Sequence, residues 1–305
     1  MLDLHRLHLL REFEARGTVA ATAEALGYTP SAVSQQLAVL ERETGATLLV
    51  KAGRGVRLTD AGRLLAGHAA TLLAAAEEAE ADLARRSGTV AGTVRIAAFQ
   101  TAMLRLVLPA VAALAAAHPE VRVEVEEAEV EEALGALRRG RVDVLLADEY
   151  DGLPRARHPD LSRETLLREQ VRLFLPAAHP LARVRRRPSL AALGDAPWAA
   201  ALPGTGHHAL VLSACRAAGF EPDLRHHSND LLILLELVRT TGAITLLPDL
   251  VGPARGPSVV ARTPAEGPLH REVHALTRTT GAARPALAAV RRALQDAAAG
   301  ALPAG

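Results

Sequence analysis

One predicted helix near the N-terminus carries side chains suited to contacting DNA. Over residues 30–43, Val33, Leu37 and Leu40 fall on one apolar stripe, whereas the opposite face holds small polar residues, an amide and one arginine. A glutamine amide can bond adenine in the major groove, and hydroxyls and helix N-terminal N–H groups can bond phosphate. The candidate DNA-contacting residues of this helix and its cap are Thr29, Ser31, Ala32, Ser34, Gln35, Ala38 and Arg42.

A basic hairpin is predicted soon after this helix. Residues 48–58 comprise an apolar run, a glycine turn and a second run, and Lys51, Arg54 and Arg57 place three cations within seven residues. Beside a helix in the major groove, such a wing would bind the phosphate backbone. The alternative is a solvated Gly/Arg loop, because residues 1–60 hold seven acids and seven bases and only local clustering supports the wing.

The N-terminal segment supplies the elements that position this helix and wing. Asp3 is a suitable N-cap for a first helix, and Thr18 for a second helix that ends at Gly27. Thr29-Pro30 is a strong helix start, because proline has no N–H and its φ is already helical. Two short helices joined by a glycine-containing turn form a helix-turn-helix, although a plain helix hairpin has the same pattern.

The order of these elements resembles a known family. The stretch AEALGYTPSAVSQQLAVLERETGATLLVKAGRGVRLTDAGRLL resembles the N-terminal domain of LysR-type transcriptional regulators, a likeness that covers residues 2–88. The family often has Gln-Pro at the start of the recognition helix and Ser-Arg in mid-helix, where this chain has Pro30-Ser31 and Ser34-Gln35. The resemblance therefore implies DNA binding but leaves the operator sequence open.

A long helix is expected after the wing, capped by Thr59-Asp60 and reaching about residue 86. Its apolar residues step by four and three positions, a spacing typical of a coiled-coil stripe, and its alanines would let a second helix approach closely. The stripe consists of Leu65, Ala69, Leu72, Ala76, Ala79 and Leu83. A core helix inside one domain is the alternative. The resemblance implies a linker helix that dimerises, and a homodimer or dimer of dimers predicts an operator that is an interrupted inverted repeat of double-stranded DNA.

Residues 92–300 alternate between predicted strands and helices. Strands at 93–98, 121–125 and 142–147, with helices between them, form a βαβαβ pattern that predicts a parallel sheet. The Pro-rich, polar residues 151–163 are a candidate crossover to a second α/β unit. The resemblance implies a two-lobed effector domain of the periplasmic-binding-protein form.

The predicted fold class is therefore α/β with an N-terminal winged helix-turn-helix. The expected domains are residues 1–59 (winged helix-turn-helix), 60–88 (dimerisation linker helix) and 89–305 (effector domain, with lobes at about 92–162 plus 264–300 and about 163–263).

Ligands of open α/β sheets bind where strands end and helices begin. Exposed N–H groups at such helix starts favour an anion, so a small carboxylate is a natural candidate for the effector. Ordinary helix capping is the alternative role for each residue. The candidate effector-binding residues are Phe99, Gln100, Thr101, Ala128, Thr205, Gly206 and Asn229.

Composition excludes several classes of protein. The 305 residues have a formal net charge of +1 and only 2% aromatic residues, which argues against a single-strand binder that stacks bases on aromatic side chains. The N-terminus contains acids and is not typical of a signal peptide, and no run of about 18 uncharged apolar residues suggests a membrane span. A cytoplasmic protein is expected.

Signals for metal binding and catalysis are weak. The adjacent pairs His207-His208 and His226-His227 each supply one metal ligand at most, because neighbouring side chains point in different directions. Cys215 lies among apolar residues, which indicates a buried, inert thiol. Without a P-loop, nucleophile elbow or dinucleotide motif, neither a cofactor nor an enzyme is expected. Two alternatives are a solute-binding protein, which leaves the first ninety residues unexplained, and an enzyme on an α/β scaffold, which lacks catalytic motifs.

Overall fold

The computed structural model describes residues 1–53, 55–87, 90–252, 258–279 and 284–302; within the long helix it describes only the backbone of residues 74, 77, 78, 80–82 and 84–87. The chain divides into two compact units, residues 1–89 and 90–305.

The first unit is a winged helix-turn-helix followed by one long helix, as the fold prediction expected. Its elements are α1 (Leu4–Arg16), α2 (Val19–Leu26), α3 (Pro30–Thr44), β1 (Leu49–Ala52), β2 (Gly55–Leu58) and α4 (Asp60–Ser87). The predicted caps form: the side chains of Asp3, Thr18 and Thr29 accept hydrogen bonds from N–H groups in the first turns of α1, α2 and α3. Gly27 ends α2 in the left-handed conformation that glycine adopts without strain.

The core of this unit includes the start of α4. Leu10, Phe13, Leu37 and Leu40 from α1 and α3 are buried together with Ala69 of α4. Ala69 is completely buried within this chain, because α1 packs against the first turns of α4. The prediction that Ala69 faces a partner helix is therefore wrong.

The second unit is a two-lobed α/β domain. Its strands are β3 (Gly92–Ala98), β4 (Val121–Glu127), β5 (Val144–Tyr150), β6 (Leu161–Pro176), β7 (Pro197–Ala200), β8 (Asp223–His227), β9 (Thr245–Pro248), β10 (Val259–Arg262) and β11 (Leu269–Arg278). Its helices are α5 (Gln100–Ala102), which continues through a π-turn (Met103–Val107) into α6 (Leu108–Ala117), α7 (Val130–Arg138), α8 (Gly206–Ala217), α9 (Leu231–Thr241) and α10 (Pro285–Ala301).

The first lobe confirms the predicted βαβαβ pattern. Strand β3 pairs in parallel with both β4 and β5, while β11 pairs antiparallel with β5. Leu106, Val144 and Val290 are buried in the core on one side of this sheet, and Leu137 and Leu145 in the core on the other. The carboxyl ends of β3 and β4 thereby lie side by side, ahead of the helices α5 and α7 that follow them.

Strands β6 and β11 cross between the lobes, and the lobe boundary lies later in the chain than the predicted one at about residue 163. Leu167 of β6 is buried in the first lobe, whereas Leu173 of the same strand is buried in the second. The 16-residue β6 begins at Leu161, inside the segment predicted as a crossover, so residues 163–168 belong to the first lobe. Strand β10, which lies along β6, was not predicted at all.

One described run, residues 100–117, is long and apolar enough to cross a membrane by length and composition alone. In this fold it is a core helix: Ala102, Leu106, Ala110 and Leu114 are buried in the first lobe. Its apolar character is explained by contacts with α10 and β3.

Candidate functional site

Helix α3 presents an exposed polar face next to a buried one. Val33, Leu37 and Leu40 are buried in the core, as the helical spacing predicted. The predicted contact residues on the opposite side are exposed, namely Ser31, Ser34, Gln35, Ala38 and Arg42, and Ala32 is half-buried. Thr29 is exposed too, but its hydroxyl caps α3 by accepting a hydrogen bond from the Ala32 N–H at 3.2 Å.

The structure distinguishes two adjacent glutamines that the sequence alone leaves equivalent. The side-chain oxygen of Gln36 accepts a hydrogen bond of 3.4 Å from Arg6, whose guanidinium also donates to Glu43. Gln35 is exposed on the outer face of α3. Gln35 is therefore available to a base edge, whereas Gln36 serves the packing of α1 on α3.

Strands β1 and β2 form the predicted basic hairpin but separate its cations. Lys51 is opposite Val56, and Arg57 is opposite Val50, in the antiparallel register. Because neighbouring residues of a strand point to opposite faces, Lys51 and Arg57 lie on different faces of the hairpin. Both are exposed. The third predicted contact, Arg54, lies outside the described residues.

Two further residues position this wing (residues 48–58), and neither was identified as functional from the sequence. The Glu41 carboxylate at the end of α3 accepts hydrogen bonds from the N–H groups of Leu48 and Leu49, at 2.7 and 3.0 Å. A Cβ on Gly62 would lie 2.3 Å from the Leu48 carbonyl oxygen, so α4 approaches the wing closely only because residue 62 is glycine. Both residues lie in the stretch that resembles the LysR family, Glu41 in Leu40-Glu41 and Gly62 in Asp60-Ala61-Gly62, and this was the only signal for them in the sequence.

The apolar stripe of α4 is divided between the core and the surface. Leu65 packs against the core beside Ala69, so the first two stripe residues stabilise their own unit. Beyond them, Leu72 and Leu83 are 40% and 70% exposed, Ala79 is exposed and Ala76 is half-buried. The candidate dimer contacts are thus reduced to Leu72, Ala76, Ala79 and Leu83.

The second unit contains a narrow cleft where β3, β5 and β11 of the first lobe meet α8 and α9 of the second; its free volume is about 20 Å³, room for about one water molecule. Five predicted effector residues line it: Phe99, Gln100, Thr101, Thr205 and Asn229. Ala128 and Gly206 do not. The Ala128 N–H donates a hydrogen bond to the Ala98 carbonyl, and a Cβ on Gly206 would lie 3.2 Å from the Arg155 guanidinium and 3.3 Å from the Tyr150 ring.

The cleft also contains charged and aromatic residues that were not predicted to bind an effector. They are Glu129, Asp148, Tyr150, His207 and Arg271, with Ala201 and Leu231 completing the lining. Asp148 and Tyr150 share one face of β5, but Glu129, His207 and Arg271 come from other elements, so no local spacing indicated that all five meet.

Arg271 is completely buried and its hydrogen bonds are directed to protein groups. Its guanidinium donates to Glu169 at 2.6 Å and to the Thr101 hydroxyl at 3.1 Å, and it lies 4.9 Å from the centre of the Phe99 ring. The second oxygen of Glu169 accepts from the Leu250 N–H at 2.6 Å. The positive charge of Arg271 is thus neutralised by Glu169.

An excess of acid remains on the first-lobe side of the cleft. Asp148 accepts a hydrogen bond of 2.8 Å from Arg155, which also pairs with Glu131. Burial, together with the negative charges of Asp148 and Glu131, raises the pKa of Glu129 to about 7. A positive group next to Glu129 would restore its ionised form.

Two buried polar atoms of the cleft have no hydrogen-bond partner among the described residues: the side-chain oxygen of Gln100 and the hydroxyl of Tyr150. Buried polar groups of a folded protein are nearly always paired, with protein, water or ligand. Both side chains are more than nine-tenths buried. The Gln100 oxygen can accept a hydrogen bond from a ligand, and the Tyr150 hydroxyl can donate one to it.

His207 has a structural role beneath the cleft. Its Nδ1 accepts from the Ala201 N–H at 3.1 Å and its Nε2–H donates to the Leu246 carbonyl at 2.7 Å. Burial lowers its pKa to about 4, so it is neutral at physiological pH. His208 and His227 both lie beside the Ala201 carbonyl. Among the described residues, no cluster of three or more metal-ligating side chains is present.

Comparison with known proteins identifies both units. Residues 4–63 match the family described as "Bacterial regulatory helix-turn-helix protein, lysR family", and residues 87–299 match "LysR substrate binding domain". The transcriptional dual regulator GltC of Bacillus subtilis is 26% identical over 285 residues, covering 93% of this chain and 91% of GltC. A probable hydrogen peroxide-inducible genes activator of Mycobacterium avium is 31% identical over 236 residues, covering 77% of this chain and 74% of that protein.

Solved structures show the same fold at 20% identity. Full-length OxyR of Pseudomonas aeruginosa aligns with a TM-score of 0.71, covering 98% of this chain and 95% of that one. Full-length CbnR in complex with its target DNA aligns with a TM-score of 0.58, covering 97% of this chain and all of CbnR.

Proposed function

Because this chain belongs to the LysR family of transcriptional regulators, we propose that α3 and the wing read an operator and that a small molecule in the cleft controls transcription. The members of this family regulate transcription and are not enzymes. The observation that supports base reading by α3 is the exposed Gln35, flanked by the small residues Ser31, Ser34 and Ala38. Small neighbours let a helix approach a base edge closely enough for an amide to bond it.

DNA recognition is tested with a mobility-shift assay on the DNA upstream of the protein's own coding region. Specific retardation there, resistant to excess scrambled competitor, is expected of a regulator that binds its own promoter region. A matched fragment with the same base composition is the control. Equal retardation of both fragments at all salt concentrations would contradict sequence-specific reading.

The proposed effector is a small zwitterion with a protonated amine and a carboxylate. Glu129 and Asp148 provide negative charge for the amine, and the unpaired Gln100 oxygen provides an acceptor. At the start of α8, the His207 N–H can donate to the carboxylate, whereas the His208 N–H already donates to the Thr205 hydroxyl. Glu169 already neutralises the charge of Arg271. A ligand with a carboxylate and no amine would therefore gain little from this arginine.

A thermal-shift screen on the full-length protein tests this effector class. α-Amino acids are compared with the matching carboxylic acids that lack the amine and with the matching amines that lack the carboxylate. A rise in Tm is expected for at least one amino acid, with little change for its two fragments. If the acid that lacks the amine raises the Tm as much as the amino acid does, the effector is a simple carboxylate, as the sequence analysis expected.

We also propose that the protein is a cytoplasmic homodimer or dimer of dimers. The exposed stripe of Leu72, Ala76, Ala79 and Leu83 on α4 supports pairing, since a partner helix would bury this apolar surface. Two paired subunits would bind an interrupted inverted repeat, with half-sites about one helical turn, or a multiple of it, apart.

A cysteine-based response to peroxide is not supported in this chain, although some relatives are described as probable hydrogen peroxide-inducible genes activators. Cys215 is the only cysteine, and it is completely buried. Burial raises the pKa of its thiol to about 12, and a protonated thiol reacts slowly with oxidants. Labelling of the native protein with a thiol reagent is expected to be far slower than labelling after unfolding.

A further inference from the structure

The first lobe has a cavity of about 390 Å³ separate from the cleft, which we call the side pocket. Its walls are α7, the outer face of β5, β6 and β11, and the irregular segment 155–158. Helix α7 is only nine residues long and covers β3 and β5. The neighbouring face of β11 and β6 is covered only by the irregular segment 155–158, and the cavity lies beneath it. Its volume is in the range typical of sites for small organic ligands.

Most of the surface inside the side pocket is apolar. The aliphatic side chains that line it are Val130, Leu134, Ala147, Ala156, Leu161 and Leu276. Ala147 is fully buried, while Leu134, Leu161 and Leu276 are half-buried at the edge of the adjoining core. A hydrocarbon portion of a ligand would complete the packing of these side chains.

Three arginines line the polar part of the side pocket, and two of them are held in ion pairs. Arg155 pairs with Glu131 at 2.6 Å and Arg163 with Glu149 at 2.6 Å, which neutralises both arginines. Among the described residues, no carboxylate forms an ion pair with Arg157. Its charge contributes to lowering the pKa of Glu149 and of His274, at the floor of the pocket.

The floor is a built polar site. His274 is 2% exposed; its Nε2 accepts a hydrogen bond from Arg163, and its Nδ1–H donates to Thr165 at 3.2 Å. Burial and the charge of Arg163 lower the pKa of His274 to about 4, so the imidazole is neutral at physiological pH. Arg157 is therefore the arginine of the lining that has no ion pair among the described residues, whereas Asp148 adds a second acid to Arg155 and Glu272 lies 3.5 Å from the His274 Nε2.

We propose that the side pocket binds a second ligand, an amphipathic monoanion such as an aromatic or medium-chain carboxylate, with its hydrocarbon against Leu134 and Leu276 and its charge at Arg157. This site is distinct from the effector cleft, because the two linings have no residue in common. The proposal concerns binding alone and does not depend on which effector occupies the cleft.

Calorimetric titration of the full-length protein with 2-naphthoate tests the proposal. We expect one bound 2-naphthoate per chain and at least tenfold weaker binding of the neutral 2-naphthamide. Arg157→Gln should weaken 2-naphthoate binding about fivefold or more, because it removes the charge without changing the apolar walls. The matched control is Arg187→Gln, which neutralises an exposed arginine far from the pocket in the chain and should leave binding unchanged.

Two further variants locate the site. Leu134→Trp should fill the cavity and abolish binding, whereas Gln100→Ala in the cleft should have no effect. Circular dichroism confirms that each variant is folded, and the exposed Arg157→Gln variant still tests the proposal if Leu134→Trp fails to fold. No binding of 2-naphthoate, equal binding of acid and amide, or loss of binding in Gln100→Ala with retention in Arg157→Gln would each overturn the proposal.

Discussion

Arg271 and Glu169 are direct partners on the antiparallel strands β11 and β6, and their side chains form a buried ion pair of 2.6 Å at the floor of the cleft. On β6, Glu169 lies between Leu167, buried in the first lobe, and Val171, buried in the second. The ion pair therefore lies where the chain passes from one lobe to the other. It connects the Thr101 hydroxyl of the first lobe to the Leu250 N–H.

Removing one partner of this ion pair is expected to destabilise the effector domain strongly. Glu169→Ala leaves the Arg271 guanidinium buried without its nearest counter-charge, with only Asp148 at 4.0 Å, and loss of one partner of a buried pair costs about 3–5 kcal/mol. Urea unfolding of the full-length protein measures the loss. The control is Glu221→Ala, which breaks the exposed Arg216–Glu221 pair and should leave the free energy of unfolding nearly unchanged. Similar losses in both variants would mean that the buried pair has no special role.

The two adjacent glutamines of α3 should differ in their effect on DNA recognition. Gln35→Ala is expected to cost about 1–3 kcal/mol at one base position of each half-site, because it removes a bidentate base contact. Gln36→Ala is the matched control and should leave the ratio of operator to scrambled-DNA affinity unchanged, since its side chain bonds Arg6. Competition binding with single-base operator variants measures both. If Gln35→Ala keeps the wild-type ratio, Gln35 is an ordinary surface residue.

The two described cations of the wing should contribute unequally to phosphate binding, because they lie on opposite faces of the hairpin. Arg57 lies on the hairpin face that carries Val50, away from the face that packs on the core through Val56. A residue that contacts one phosphate should lower the salt slope of log K by about 0.9 when it is removed. We expect that change for Arg57→Ala and a smaller one for Lys51→Ala, from DNA titrations between low and high salt. An unchanged slope for Arg57→Ala would show that Arg57 faces solvent.

The same charge placed at two alanines of α4 should have different consequences. Ala76→Asp introduces a carboxylate into the proposed helix pair without touching the buried core of the unit, so it should dissociate the dimer. Ala69→Asp buries an unpaired carboxylate beneath α1 and should unfold the N-terminal unit. Sedimentation and thermal unfolding separate the two outcomes. A dimeric Ala76→Asp variant with normal operator binding would contradict pairing through this stripe.

Binding of an amine-bearing effector should strengthen with pH through the neutral range. Glu129, with a pKa near 7 in the free protein, is mostly protonated at pH 6 and mostly ionised at pH 8. An amino acid identified by the thermal-shift screen should therefore bind about tenfold more tightly at pH 8 than at pH 6. Glu129→Gln is expected to remove this pH dependence. Calorimetric titration at both pH values measures it, and equal affinities in the wild type would contradict the role of Glu129.

The sequence by itself determined the local elements of this protein. Thr29, Pro30 and the spacing of Val33, Leu37 and Leu40 specify where α3 starts and which face it buries, because capping and helical periodicity depend on residues close together in the chain. The alternating strands of the first lobe follow from the same kind of local pattern. The starts of helices at Gln100 and Thr205 likewise indicated where a ligand cleft would open.

Only the tertiary structure decided which residues of these elements meet. Whether Gln36 or Gln35 is free depends on Arg6, thirty residues away, and whether Ala69 faces a partner depends on how α1 packs. The charge of the cleft is set by Glu129, Asp148 and Glu169 with Arg271, which come from four elements and meet only in the folded domain. Electrostatic and packing interactions act through space, so residues distant in the chain decide the character of a site that local pattern can only locate.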